Sequence, residues 1–258
     1  MESSYLKKMR KFGLIGYPLG HSFSKQYFAD KFKREKINDC SYENYPVSDI
    51  VQIKEIINAN PELCGLNVTI PYKTKIISFL DYIAKEAEEI GAVNVIKIKR
   101  SKNKTFLHGY NSDFIGVSDS LKQYIDNNVK QALILGTGGA SKAVYYALKN
   151  ARLTVLFASR EKRAGVLAYS ELTPDILASA QLIVNTTPLG MFPDTESFPN
   201  IDYKCIGKQH ILFDLVYNPE ITTFLHKGIE RGCTIITGSK MLISQAERAW
   251  QIWNDDLL

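Results

Sequence analysis

The sequence predicts an α/β protein of two domains with a cleft between them, the second domain of the Rossmann dinucleotide-binding type. Two observations carry this. Short apolar strands alternate with amphipathic helical stretches in two successive runs, the pattern of βα units. In the second run, the apolar strand Gln131-Ala132-Leu133-Ile134-Leu135 enters the turn Gly136-Thr137-Gly138-Gly139-Ala140-Ser141 and then a helical stretch through Lys149. Strand, glycine-rich turn and helix in that order make a dinucleotide-binding start. The glycines allow a tight turn and close approach, and the helix N-terminus receives a pyrophosphate.

In chain order, Phe12–Gly16 is a strand ending in glycine, and a helical pattern (Tyr27, Phe28, Phe32) follows the loop Tyr17–Lys25. Ser22 or Ser24 could cap that helix, or the pair could hold a carboxylate against its N-terminus. His21 reads as a loop residue. Cys40–Pro46 reads as a second strand, Ile50–Ile57 as a helix and Leu63–Ile70 as a third strand. That strand leads into Asn67-Val68-Thr69-Ile70-Pro71-Tyr72-Lys73, the stretch the first domain is organised around. Pro71 fixes its own φ and biases Ile70 toward extended backbone, so the strand breaks sharply. A helix is expected from Lys73 or Thr74 to about Glu89. Lys73 then stands on a rigid shoulder at a strand's carboxyl end, where open α/β sheets place ligands. By residue type alone it would be an ordinary exposed lysine.

Gly91–Ile98 reads as a strand, Lys99–Lys104 as a basic turn and Thr105–Leu107 as the return. Asn94 is a polar residue among apolar neighbours, either a hydrogen-bonded core amide or an amide aimed into a cleft. Asp113 opens a helix (Val117, Leu121, Tyr124, Ile125), where a carboxylate is stabilised by the dipole without any catalysis. After the glycine turn, Leu153–Ala158 is the next strand, and Ser159-Arg160-Glu161-Lys162-Arg163 follows where NAD-binding folds carry an acidic residue. Basic side chains there favour a 2′-phosphate. The segment to Gln181 is short, so one crossover helix is expected to be stunted. Gln181–Asn185, His210–Tyr217 and Thr234–Thr237 are further strands, Thr223–Arg231 is a helix, and Gly238 opens the last helix. Gln245 on that helix reads as a surface amide or a ligand contact.

Composition bounds the function. The chain has 258 residues, a formal charge of +5, 45% hydrophobic and 23% charged residues, and dispersed basic residues. This fits an anionic small molecule and gives little support to a nucleic-acid partner. No apolar run approaches a membrane span, and the N-terminus lacks a signal-peptide core, so a cytoplasmic protein away from membranes is expected. Cys40, Cys64, Cys205 and Cys233 have no metal-site spacing and read as reduced packing residues, with no metal expected.

Taken together, Ser22-Phe23-Ser24, Asn67 to Lys73, Gly91 to Asn94, Gly109 to Asp113, Gly136 to Ser141, Asn185 to Met191, Asp214 to Pro219 and Gly238 to Gln245 resemble shikimate dehydrogenases along nearly the whole chain. The resemblance implies an NADP-dependent oxidoreductase acting on a CH–OH group, interconverting 3-dehydroshikimate and shikimate in aromatic amino-acid (chorismate) biosynthesis. Lys73 and Asp113 would form the acid–base dyad. Ser22, Ser24, Thr69, Asn94, Tyr217 and Gln245 would contact substrate. Gly136, Gly138, Gly139, Ala140, Ser141, Ser159, Arg160, Leu215, Gly238 and Met241 would contact NADP. It implies a substrate domain over 1–108 completed by 239–258, an NADP domain over 109–238, and a monomer or homodimer. The chain departs from the family's usual Asn-Arg-Thr at Ser159-Arg160-Glu161 and from Asn-Thr-Asp at Asn111-Ser112-Asp113. An NAD- or NADP-dependent quinate/shikimate dehydrogenase is the alternative.

Overall fold

The computed structural model describes residues 9–19, 23–102, 104–126 and 128–255. Its contacts divide the chain into two units, one running to Ser112 and resuming at Arg248, the other Asp113–Glu247.

The first unit begins with β1 (Arg10–Gly16), α1 (Phe23–Arg34) and β2 (Cys40–Pro46). A 3₁₀ turn at Ile50–Gln52 precedes α2 (Ile53–Ala59), and β3 (Leu63–Val68) follows. The Asp49 side chain accepts from Val51 N–H while Gln52 reaches back to Asp49 N–H, so the tight turn, not the α-helix, carries the cap. Then come β4 (Tyr82–Ile83), α3 (Lys85–Ile90), β5 (Val95–Ser101) and β6 (Lys104–Tyr110). The sheet runs β2-β1-β3-β5-β6-β4, parallel across its first three strands and antiparallel at β3/β5 and β5/β6.

The expected helix from Lys73 to Glu89 is not formed. A 3₁₀ turn covers Lys75–Phe79, and Leu80 then turns extended. The cause is a competing edge: Asp81 N–H donates to the Leu107 carbonyl, and the Asp81 carboxylate accepts from Leu107 N–H. Those bonds draw the chain along β6 before α3 can start. Gly91 likewise lies outside its predicted strand. At φ +66° it caps α3 in the left-handed conformation glycine tolerates.

The second unit contains α4 (Asp113–Leu121), β7 (Gln131–Leu135), α5 (Gly139–Asn150), β8 (Thr154–Ser159), β9 (Leu167–Ala168), α6 (Pro174–Ser179), β10 (Leu182–Asn185), β11 (Ile211–Asp214), α7 (Thr223–Glu230) and β12 (Thr234–Ile236). The last helix, α8 (Gly238–Asn254), crosses the division at Glu247/Arg248. The sheet order β12-β11-β10-β7-β8-β9 is parallel throughout and corresponds to the doubly wound arrangement that reverses between β7 and β10. The stunted crossover is α6, six residues capped by Thr173 with Pro174 at its first position. Leu133, Leu135, Ile183 and Leu212 pack one face of this sheet, and Ile134, Val184 and Phe213 pack the other.

The end of α8 seals the first unit. Trp253 stacks on Phe12 at 4.8 Å, and its indole N–H donates to the Ile96 carbonyl at 3.0 Å. A Cβ on Gly65 would lie 2.3 Å from the Trp253 nitrogen, so only glycine lets the ring seat on β3. Trp253→Ala is expected to cost about 3–5 kcal/mol of stability, the usual range for emptying a buried aromatic site. Urea unfolding of that variant checks this, and a loss under about 1 kcal/mol would contradict it.

Candidate active site

Lys73 is half-buried, and its backbone is fixed from both sides. The Lys73 carbonyl accepts from Val93 N–H at 2.7 Å. Tyr72, 3% exposed, anchors the preceding residue by donating its hydroxyl to the Val47 carbonyl at 2.6 Å. Thr69 N–H donates to Ile15, and Thr69 carbonyl accepts from Tyr72 N–H. A Cβ on Gly16 would stand 2.4 Å from the Thr69 methyl, so the glycine ending β1 makes room for Thr69. Lys73 therefore projects from a held turn rather than from a helix.

Asn94 is 2% exposed and hydrogen-bonded on every side that the fold presents. Its carbonyl accepts from Val68 N–H and from the Asn67 amide. Its side-chain oxygen accepts from Ser112 N–H at 2.6 Å, and its side-chain nitrogen donates to the Ser112 hydroxyl at 3.0 Å. Asn111 donates to the Ala92 carbonyl. The two residues ahead of Asp113 are thus clamped by side chains. Asp113, 4% exposed, opens α4 as the sequence predicts. Ser24 is the second residue of α1 and so does not cap it; its hydroxyl bonds the buried Tyr42 phenol. Ser22 and His21 lie outside the described residues.

In the second unit Gly136 has φ +109°, and a Cβ there would sit 2.7 Å from the Thr186 hydroxyl. Gly138 caps α5 in extended backbone with no side-chain cap, and a Cβ built on it meets nothing within 4 Å. The first N–H groups of α5, from Gly139, Ala140 and Ser141, have no acceptor inside the helix. Ser141 itself is buried and donates its hydroxyl to the Gly138 carbonyl. Open space before unsatisfied N–H donors at the start of a 12-residue helix fits a pyrophosphate. Beyond β8, Ser159 donates to the Glu161 carbonyl at 2.5 Å. Lys162 pairs with Glu171, and Arg163 with Glu161 at 3.6 Å. Arg160 is exposed and has no ion pair among the described residues. Of the three basic side chains, it is the one not drawn to a local carboxylate.

A network invisible in the sequence joins the ends of β10 and β11. Asp214 is fully buried; one carboxylate oxygen accepts from the Asn185 amide and Val216 N–H, the other from Thr222 at 2.5 Å. Asn185 also accepts from Thr187 and donates to the Leu189 carbonyl. Leu215 N–H donates to the Asn185 carbonyl. The carbonyls of Leu215 and Val216 would lie 2.6 and 2.7 Å from a Cβ on Gly238, so α8 starts hard against this loop. Met241 is a core side chain, and Gln245, half-buried, donates back to the Leu242 carbonyl at 3.2 Å. Burial pushes the Tyr217 hydroxyl above its ordinary pKa. The one signal for Asp214 is an acid closing the otherwise apolar run Ile211-Leu212-Phe213.

Among the described residues no cluster of three metal-ligating side chains occurs, and no helix is long and apolar enough to cross a membrane. Residues 14–96 match the family described as shikimate dehydrogenase substrate binding domain. The shikimate dehydrogenase (NADP(+)) of Methanosphaera stadtmanae is 36% identical over 93% of this chain and 90% of its own. The crystal structure of shikimate dehydrogenase from Aquifex aeolicus is 32% identical, with a TM-score of 0.83, covering 98% of this chain and 94% of that one. That of shikimate 5-dehydrogenase from Thermus thermophilus, in complex with NADP(H) and shikimate, is 28% identical, with a TM-score of 0.83 over 95% and 94%.

Desolvation pushes Asp214 up to about 7 despite its three hydrogen bonds. An unfolded aspartate titrates near 4, so between roughly pH 4 and 7 the folded chain holds the extra proton. This contribution is fully present below about pH 4 and is lost as pH rises through 7, on the order of a few kcal/mol. Asp214→Asn should remove that pH-dependent part. Denaturant titrations of both proteins across the window check it, and parallel pH profiles would contradict it.

Proposed function

The chain belongs to the shikimate dehydrogenase family, and from that premise we propose how its residues divide the reaction. It is an NADP-dependent oxidoreductase interconverting 3-dehydroshikimate and shikimate, a step toward chorismate and the aromatic amino acids. The observation that carries the proposal is the fixed backbone of Lys73, held at its carbonyl by Val93 and beside the buried Tyr72.

The first unit supplies Lys73, Ser22, Ser24, Thr69 and Asn94 to the cyclohexene acid, and the second supplies Asp113, Tyr217 and Gln245 to it and takes the dinucleotide. When bound, NADPH supplies the hydride that the reduction adds to the ring carbon. Lys73 donates a proton from Nζ to the ketone oxygen as charge grows there, and its cation polarises the carbonyl beforehand. Asp113 orients the ammonium and shares the hydrogen bond of the substrate hydroxyl. In the reverse direction the pair accepts the hydroxyl proton. Ser22 and Ser24 hold the ring carboxylate. Thr69, Asn94, Tyr217 and Gln245 serve the ring hydroxyls. A site built of such groups rejects acids that lack those hydroxyls.

The α5 N-terminus, with Gly136, Gly138, Gly139, Ala140 and Ser141, holds the pyrophosphate through backbone N–H groups. Arg160 reads the 2′-phosphate, supported by Ser159, which closes the turn onto Glu161. Leu215, Gly238 and Met241 would complete the contacts that hold NADP. The four free cysteines suit a reducing cytoplasm, and the chain acts as a monomer or homodimer.

Lys73→Ala should lower turnover roughly 10²–10⁴-fold with an unchanged melting temperature. Steady-state rates with shikimate check this, and near-normal turnover would remove Lys73 from the chemistry. Arg160→Ala should weaken NADPH at least about ten-fold more than NADH, as loss of a charge-assisted phosphate contact does. Equal weakening of both, seen by fluorescence titration, would show that Arg160 does not read the phosphate.

A further inference from the structure

Tyr42 lies on β2, 5% exposed, with its ring stacked on Phe28 at 4.6 Å. The ring alone would serve this core. Its hydroxyl does something else: it donates to the Asn67 side-chain oxygen at 2.8 Å and accepts from Ser24. Asn67, 6% exposed, passes its amide nitrogen to the Asn94 carbonyl at 3.3 Å. Asn94 in turn holds Ser112 through both atoms of its side-chain amide. One chain of hydrogen bonds therefore runs Ser24–Tyr42–Asn67–Asn94–Ser112, buried from Tyr42 onward. Both ends of it are groups assigned above to the substrate or adjoin the proposed dyad.

We propose that Tyr42 is a positioning residue of the substrate site, setting the Ser24 hydroxyl and the Asn67 amide from behind. The proposal rests on the assignment of Ser24 to the carboxylate and Asn94 to a ring hydroxyl. The chemistry favours it in two ways. A hydroxyl hydrogen turns about its C–O bond to suit its partner. A carboxylate arriving at Ser24 draws the serine hydrogen away from the Tyr42 oxygen, while Tyr42 keeps its own hydrogen on Asn67. The Tyr42 oxygen thus holds the serine hydroxyl in place until a carboxylate takes its hydrogen. The tyrosine also settles which way Asn67 points. Its oxygen must meet the donor Tyr42, which leaves its nitrogen for the Asn94 carbonyl. No other arrangement satisfies both neighbours.

Tyr42→Phe tests this, because it keeps the stacked ring and removes only the hydroxyl. The KM for shikimate should rise about ten-fold, the worth of a hydrogen bond reaching a charged partner, while the KM for NADP stays within about two-fold. A merely structural hydroxyl would lower the melting temperature and leave both KM values alone. That outcome, or equal rises in both, would overturn the proposal. Ser24→Ala and the Ser24→Ala/Tyr42→Phe double variant complete the cycle. The double variant should raise the shikimate KM little beyond Ser24→Ala alone, because the two groups act as one. Simple multiplication of the two effects would overturn the coupling. Ser24→Ala by itself reports on the underlying assignment. If it leaves the KM unchanged while Tyr42→Phe raises it, the carboxylate reading of Ser24 fails and Tyr42 acts through Asn67. If both are flat, both readings fail.

Discussion

The first unit depends on Asn94. Its backbone carbonyl receives Val68 N–H and the Asn67 amide, its N–H reaches Tyr110, and its side chain clamps Ser112. The backbone bonds would suit any residue, but no apolar side chain could make the clamp, since Ser112 presents both its N–H and its hydroxyl to one buried point. A buried amide left without these partners would cost free energy; with them, it ties the end of β3 to the segment before Asp113. The Lys73 turn is set from the same side, because Val93, the residue before Asn94, donates to the Lys73 carbonyl. Substrate chemistry on a flexible loop would need such ordering at each turnover. Here it is present in the resting backbone.

The second unit meets a different demand. A parallel sheet buried on both faces supplies stiffness, and function is confined to the strands' carboxyl ends. At β7 this end opens into a glycine turn whose helix N–H groups face open space. At β10 and β11 it closes on Asp214, whose desolvated carboxyl binds Asn185, Val216 and Thr222. That carboxyl lowers stability at neutral pH relative to acid. The return is a fixed loop from Leu215 to Tyr217 against the start of α8.

Legibility in the sequence follows locality. The strand Gln131–Leu135 is readable to the residue, because a buried parallel strand is a short unbroken apolar pattern bounded by turn residues, and the edge strand Cys40–Pro46 is readable to the residue as well. The glycine turn is readable for the same reason. The stretch from Lys73 to Glu89 misleads, since its apolar spacing is helical and only the distant Leu107 edge reveals why Asp81 goes extended. Tyr42 is silent as well: a tyrosine in a strand looks like packing until Asn67 and Ser24 are known to meet its hydroxyl. Asp214 and Thr222 are eight residues apart with nothing local to couple them. Lys162 and Arg163 read as phosphate ligands alongside Arg160 until their pairing with Glu171 and Glu161 separates them.

The most direct test of the central claim is a set of initial rates of cofactor reduction by the purified protein in one buffer, offering shikimate or quinate with NADP or NAD. Rapid reduction of NADP with shikimate, and slow reduction in the other three combinations, is the predicted result. Faster turnover of quinate, or of NAD, would contradict the reading of the serine pair or of Arg160, and no turnover of either acid would contradict the assignment of the substrate itself.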